Sequence, residues 1–451
     1  MTPSWLRRAP TVVRRKLAKV ETQKILSNIG WLTIERLLRM VLGFGVGVWV
    51  YRYLGPTQQG EYSYAIAFTT IFGVIAKLGL NRVVIRDLVR FPDSQHRVMG
   101  TALALKILAA ILTYFITLTS SYFVNAGDPQ LHGLISIVAT GIVFQALDPF
   151  DFWFQSKTQS KYAVYAKSAA FILISLVKIG LILLGASLGA FAWAGVGEML
   201  ITSIGLVMAY AKVGPSAQDF RYCHRTAKQL LRDSSPLILS GVMMMIYMRI
   251  DQLMVVRLAS EREAGLYAAA VSLTEAWHFI PLVVIPSVFP SLINTWKVDQ
   301  AAFHDKLQML YNLMAALFYA IAIPTTLLSS WVIDFFLGVA YDGAGPMLAI
   351  LIWSTFFVSL GTVKSHYLVA MNWPFLHFFS IGSGCIINVA LNALLIPDYG
   401  GVAASATTLI SYSFATYGSC FFSRKLWRTA KMMTSAIAFQ WDYDRLLSHL
   451  R

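Results

Sequence analysis

Charge is scarce in this chain. Only 13% of its 451 residues are Asp, Glu, Lys or Arg, against about 25% in soluble domains. So little charge cannot cover the surface of soluble domains of this total length. Cysteine is almost absent as well. Cys223, Cys385 and Cys420 are too few and too scattered for a disulfide framework or a metal site, and no cofactor is expected. Long polar loops are also missing, and no aqueous basic domain is left over to bind nucleic acid.

What fills the chain is apolar. Hydrophobic residues make up 57%. About twelve runs of 18 or more apolar residues lie near 28–50, 60–80, 99–123, 133–156, 162–184, 188–211, 233–257, 265–290, 308–331, 346–368, 375–396 and 402–422. Runs of that length read as membrane-spanning helices; barrel strands would show ten-residue alternation. The interruptions LGPTQQGE, FPDSQH, NAGDPQLH and SEREAG carry Pro, Gly and charge. The expected fold class is all-α integral membrane, with about twelve transmembrane helices in two six-helix bundles. The bundles span residues 28–211 and 233–422. A basic linker, 212–232, joins them, and basic segments 1–27 and 423–451 flank them.

Lys and Arg collect on one side of this topology. Arg52, Arg257 and Arg262 fall in outer loops, and Arg36, Arg39, Lys77, Lys106, Lys178 and Arg249 within spans. By the positive-inside rule both termini are then cytoplasmic, and the net charge of +15 is read against an anionic inner leaflet. The N-terminal segment has no continuous apolar stretch and is not a cleavable signal. It is either a disordered anchor or a surface helix with Trp5, Leu6, Val12, Val13, Leu17 and Val20 on one face.

An internal repeat says more about function. RYLGPTQQGEYSYAIAFTT, from Arg52, aligns without a gap on RLASEREAGLYAAAVSLTE, from Arg257. Gly60 falls on Gly265, Tyr62 on Tyr267, Ala65 on Ala270 and Thr69 on Thr274. Membrane proteins built as two similar halves are typically transporters. The outer loops are short and carry no carboxylate pair with a base or nucleophile. That argues against a membrane polymerase or glycosyltransferase, and the chain is not expected to be an enzyme.

Charges inside spans mark candidate sites, because a charge at the bilayer centre costs at least about 2.5–3.5 kcal/mol. Arg39 lies mid-span, about 16 Å from either end. Glu35 and Arg36 share its helix face, and two arginines against one carboxylate suit an anionic ligand. Glu198 is near the middle of the sixth span. In the second half, Arg249 and Asp251 lie in the seventh span, and Glu275 and His278 in the eighth. Glu35, Glu198, Asp251, Glu275 and His278 can carry protons, coordinate a cation or simply pair with arginine. Pro281, Pro286, Pro290 and Pro324 offer bends. Several features read as structural: Gly43, Gly45 and Gly47 as close helix contacts, Asp148 and Asp151 as an interfacial cluster with Lys157 and Lys161, and Trp153, Trp331, Trp353 and Trp373 as belt aromatics. Lys77, Lys106 and Lys178 can snorkel.

The first span and its sequel, from NIGWLTIERLLRMVLGFGVGVWV through GEYSYA, together with RIDQLMV, GLYAAAVSLTEAW and IPSVFP between Arg249 and Pro290, resemble polysaccharide-biosynthesis flippases of the Wzx type. These belong to the multidrug/oligosaccharidyl-lipid/polysaccharide exporter superfamily. The resemblance implies a flippase of the bacterial inner membrane. It would carry an undecaprenyl-pyrophosphate-linked oligosaccharide for O-antigen, capsule or exopolysaccharide synthesis by alternating access, working beside a polysaccharide polymerase and other assembly proteins. It also implies pyrophosphate binding by Arg36, Arg39 and Arg249, since the family places basic residues on its first and seventh spans. A cation-coupled multidrug exporter of the same superfamily is the alternative, although it would want a carboxylate-dominated cavity. A major-facilitator transporter is disfavoured because GLNRVVIRDLVRFPD lacks its loop signature.

Overall fold

In a computed structural model the chain is all-α. The structure describes residues 11–296 and 298–440, with side chains of residue 28 and from residue 30 onward. Trp5 and Leu6, and the tail beyond residue 440, lie outside the described residues. Among the described residues, ten helical segments are long and apolar enough to cross a membrane. Two of these segments each hold two spans. Helix α1 (Thr11–Lys77) breaks at Gly55, with φ 69°, and α14 (Pro374–Thr416) breaks at Gly400, with φ 58°. Only glycine adopts this left-handed geometry without steric cost, so a continuous helical segment carries two successive spans. The ten segments therefore contain the twelve expected spans, and the chain is a multi-pass membrane protein.

The chain divides into two compact units. Among the described residues, the first comprises 11–47 and 72–239. It contains α2 (Leu80–Arg90), α3 (Gln95–Val124), α4 (Pro129–Phe144), α5 (Asp148–Ser156), α6 (Ser160–Leu183) and α7 (Leu188–Val213). Helix α2 is amphipathic, burying Leu80, Val83, Val84 and Leu88. It packs with Phe150, Phe154 and Tyr210 in one core cluster. Trp153 is buried in the same cluster, 5% exposed, and is not a belt residue.

Among the described residues, the second unit comprises 48–71, 240–296 and 298–440. Helix α8 (His224–Leu258) runs from the first unit into the second, so much of the expected linker is helical. α9 (Glu261–Glu275), α10 (Phe279–Trp296), α11 (Gln300–Leu327), α12 (Ser329–Phe336), α13 (Ala344–Ala370), α14 and α15 (Trp427–Ile437) complete it. Its core gathers Phe303, Tyr311, Phe318 and Phe356 with Met432 and Met433 of α15. The start of the expected basic tail is therefore folded into the core of this unit.

The two repeat copies meet within the second unit. A Cβ added to Gly60 would overlap the carbonyl oxygen of Glu261 and come within 2.9 Å of the Gly265 nitrogen. A Cβ on Gly265 would overlap the Pro56 carbonyl oxygen. Around this contact Tyr51 Oη donates to the Ala268 carbonyl at 3.2 Å, and Tyr341 Oη donates to the Tyr51 carbonyl at 2.9 Å. Arg52 donates to the carbonyls of Phe335 and Phe336 at the end of α12. By contrast, Gly45 and Gly47 have nothing within 4 Å of an added Cβ, and Gly43 meets only the Phe171 ring. Close backbone contact thus belongs to the repeat glycines, and the G-x-G-x-G run does not provide it.

Candidate functional site

In the first unit, Arg39 lies between two carboxylates. Its Nη1 donates to Glu198 Oε1 at 2.7 Å, and its Nε lies 3.4 Å from Glu35 Oε1. Glu35 is one turn away on α1, the i,i+4 spacing that lets side chains meet. Glu198 comes from α7, 159 residues further along the chain. The guanidinium also lies over the Phe171 ring of α6, 4.6 Å from its centroid, a cation–π geometry. Lys178 of α6 is within electrostatic range of Glu198 and Arg39. Two carboxylates therefore face Arg39, where one was expected. Arg36 is exposed and forms no ion pair among the described residues.

In the second unit, Arg249 and Asp251 part company, because residues two apart on a helix do not share a face. Arg249 Nη1 lies 3.4 Å from Glu275 Oε1, with both side chains partly exposed. His278, one turn beyond Glu275, has a buried Nε2 without a hydrogen-bond partner. Asp251 points into the unit and is 3% exposed. It accepts from Tyr267 Oη at 3.0 Å, Thr408 Oγ1 at 2.7 Å and Asn392 Nδ2 at 2.5 Å. Asn388 Oδ1 accepts from the same Asn392 amide at 3.2 Å, and Thr407 donates to Asn392 Oδ1. No cationic side chain pairs with this carboxylate among the described residues. A buried carboxyl group of this kind is tolerated only when its oxygens are hydrogen-bonded, and three side chains meet that need.

Other buried charges have partners that the spacing did not suggest. Lys106, 0% exposed, pairs with Asp148 at 2.9 Å, and Lys167 pairs with Asp151 at 2.8 Å. The cluster expected with Lys157 and Lys161 does not form. Lys106 is a buried ion-pair partner and does not snorkel. Lys364 of α13 is 3% exposed and has no carboxylate partner among the described residues. Its Nζ donates to Ser380 Oγ, Ser419 Oγ and the carbonyls of Ala415 and Thr416 at 2.7–3.0 Å. Asn388, Asn392, Thr408 and Lys364 were not singled out from the sequence. The only available signal was polar residues at helical spacing inside apolar runs.

Twelve spans in two helical units, with ionic groups held inside them, define a membrane transporter. The chain belongs to the polysaccharide biosynthesis protein family, whose match covers residues 25–296. No curated protein matches it. Among solved structures it is similar to the lipid II flippase MurJ in an inward closed conformation. That match has 16% identity and a TM-score of 0.69, covering 90% of each chain. It is also similar to an inward-facing multidrug resistance MATE family transporter of the MOP superfamily, at 17% identity and a TM-score of 0.65, covering 90% of this chain and 98% of that one. A MATE transporter from Vibrio cholerae, VcmN, aligns at 11% identity with a TM-score of 0.57, over 91% of this chain and 98% of that one. At these identities the structures speak to the fold.

Proposed function

We propose that this protein is a flippase. In this reading it moves an undecaprenyl-pyrophosphate-linked oligosaccharide across the bacterial inner membrane for O-antigen, capsule or exopolysaccharide synthesis. The observation that carries the reading is Arg39, a guanidinium at the middle of the first span of a polysaccharide-biosynthesis family member. Its ion pairs are exchangeable: the side chain is 38% exposed, and pairs of that kind are worth only about 1 kcal/mol. A pyrophosphate brings bidentate, charge-assisted bonds that one carboxylate cannot match. Arg36 and Arg249 add positive charge for the head group. Asp251, buried and tied by Tyr267, Thr408 and Asn392, is the group we assign to coupling with a proton or a small cation. Glu35, Glu198 and Glu275 act as exchangeable partners of the arginines, and His278, one turn from Glu275, is a further group for coupling. Both termini are cytoplasmic, the step is not enzymatic, and a polymerase consumes the product outside.

Flipping of a fluorescent polyprenyl-pyrophosphate glycan in proteoliposomes tests this reading. Wild type is expected to flip it and Arg39→Ala to lose flipping while keeping its fold. Unchanged flipping in the variant makes Arg39 structural. Uptake of organic cations without lipid flipping by wild type assigns the protein to drug export instead.

A further inference from the structure

Helix α15 and the turns before it carry a feature that the transport reading does not use. From Tyr399 to Gln440 the chain has four cations, Arg424, Lys425, Arg428 and Lys431, and no acidic residue. All four are exposed, and none forms an ion pair among the described residues. The opposite side of α15 is fixed. Thr429, Ala430, Met432, Met433 and Ala436 are buried, most of them in the core of the second unit. The helix therefore presents a held basic face.

Its depth can be read from α11. Gln308 Nε2 donates to the Met432 carbonyl and Tyr319 Oη to the Ile437 carbonyl, each at 3.0 Å. Phe439 lies 4.6 Å from the Tyr319 ring. Gln308 to Tyr319 is about 16 Å of helix, so α15 runs along α11 in the same direction. The first turns of α11 are polar, with His304, Asp305 and Lys306, and the apolar stretch follows them. Met432 therefore sits where α11 enters hydrocarbon, and Phe439 sits deeper. The four cations lie at or outside that level, where lipid headgroups are. Exposed Phe421, Phe422 and Trp427 flank them, and tryptophan is a residue type enriched at the membrane–water interface. Lys425 Nζ also lies 5.4 Å from the Trp373 ring centroid.

We propose that Arg424, Lys425, Arg428 and Lys431 form a binding site for the phosphate headgroup of an anionic phospholipid. α15 acts as a half-span helix that places them at headgroup depth. Positive charge with no ion-pair partner among the described residues selects an anion, and the flanking aromatics and apolar depth select one attached to acyl chains. Each residue neutralised should lower affinity about fivefold, and added salt should weaken binding at this exposed site.

The test uses the full-length protein in nanodiscs of phosphatidylcholine, with or without phosphatidylglycerol. Thermal unfolding and native mass spectrometry of retained phosphatidylglycerol are read in parallel. Wild type should be stabilised by the anionic lipid and retain it. R424Q/K425Q/R428Q/K431Q should lose both effects, and R428Q/K431Q should show a partial loss if the fourfold variant fails to fold. R82Q/R90Q, exposed charges of the first unit, should behave as wild type. Equal stabilisation and retention in all variants overturns the proposal. So does a response to a polyprenyl pyrophosphate with none to phosphatidylglycerol.

Discussion

Gly60→Ala tests the contact between the repeat copies most directly. The added methyl would overlap the Glu261 carbonyl oxygen and come within 2.9 Å of the Gly265 nitrogen. All of these atoms are backbone, so no rotamer change relieves the overlap. The two segments would have to part by more than about 1 Å to restore a normal separation of roughly 3.5 Å. Overpacking of this kind costs about 1–3 kcal/mol, and a rigid backbone neighbour places it at the upper end. Parting the segments also strains the hydrogen bonds of Tyr51 to Ala268 and of Tyr341 to Tyr51. Gly265→Ala should cost a similar amount, because its Cβ meets Pro56 across the same seam. The double variant should cost little more than either single one, since one displacement accommodates both methyls. That non-additivity is what neighbours in a shared contact show. Gly45→Ala and Gly47→Ala are the controls. They meet nothing within 4 Å and should gain about 0.5–1 kcal/mol from the helix propensity of alanine. Thermal unfolding in a fixed detergent or nanodisc reads all five variants. If Gly60→Ala is as stable as Gly45→Ala, or if the two repeat substitutions add fully, the contact is not the close seam described.

Two further outcomes follow from the buried polar groups. Asp251→Asn keeps the shape of the side chain but removes its charge, so flipping should lose its dependence on pH or on sodium. A dependence identical to wild type in proteoliposomes with imposed gradients removes Asp251 from coupling. Lys364→Met removes the ammonium shared by Ser380, Ser419 and the carbonyls of Ala415 and Thr416, which keep only weaker donors in Ser419 and Cys420, and losing hydrogen bonds to a charged group costs about 1.5–3 kcal/mol. Its unfolding temperature should fall clearly below that of wild type, and an unchanged value refutes the role of the ammonium in tying α13 to the end of α14.

The spans were legible because runs of 18 or more apolar residues have few other uses. Two short amphipathic helices escaped the same scan. Leu80, Val83, Val84 and Leu88 repeat at helical spacing in α2, as Thr429, Met432, Met433 and Ala436 do in α15. Both are too polar overall to register as spans, and a search for the 3.6-residue period would have found them. The internal repeat was visible as an alignment, but nothing in an alignment says that its two copies touch. Gly43, Gly45 and Gly47 looked like a contact motif because small residues permit close approach; permission is not contact, and their neighbours are distant. The ionic partners were the least legible. Glu198, 159 residues from Arg39, and Asn392, 141 residues from Asp251, sit in spans with no local cue to direction.

The second carboxylate beside Arg39 changes what the cargo has to do there. Arg39 faces Glu35 and Glu198, Lys178 lies within electrostatic range of Glu198, and Arg36 adds one exposed positive charge along the same helix. An organic cation entering this group would find both carboxylates facing a tethered guanidinium, one of them at 2.7 Å. A pyrophosphate would instead compete with Glu198 for Arg39, and Glu198 would oppose it by charge. Glu198→Gln removes that opposition and keeps a side-chain oxygen able to accept from Nη1. An exposed ion pair is worth about 1 kcal/mol, so the variant should bind a polyprenyl pyrophosphate up to about fivefold more tightly with the fold intact. Equilibrium binding of the fluorescent lipid to wild type and Glu198→Gln in nanodiscs measures this. A weaker affinity in the variant would mean that Glu198 orients Arg39 for the ligand and that the two do not exchange partners.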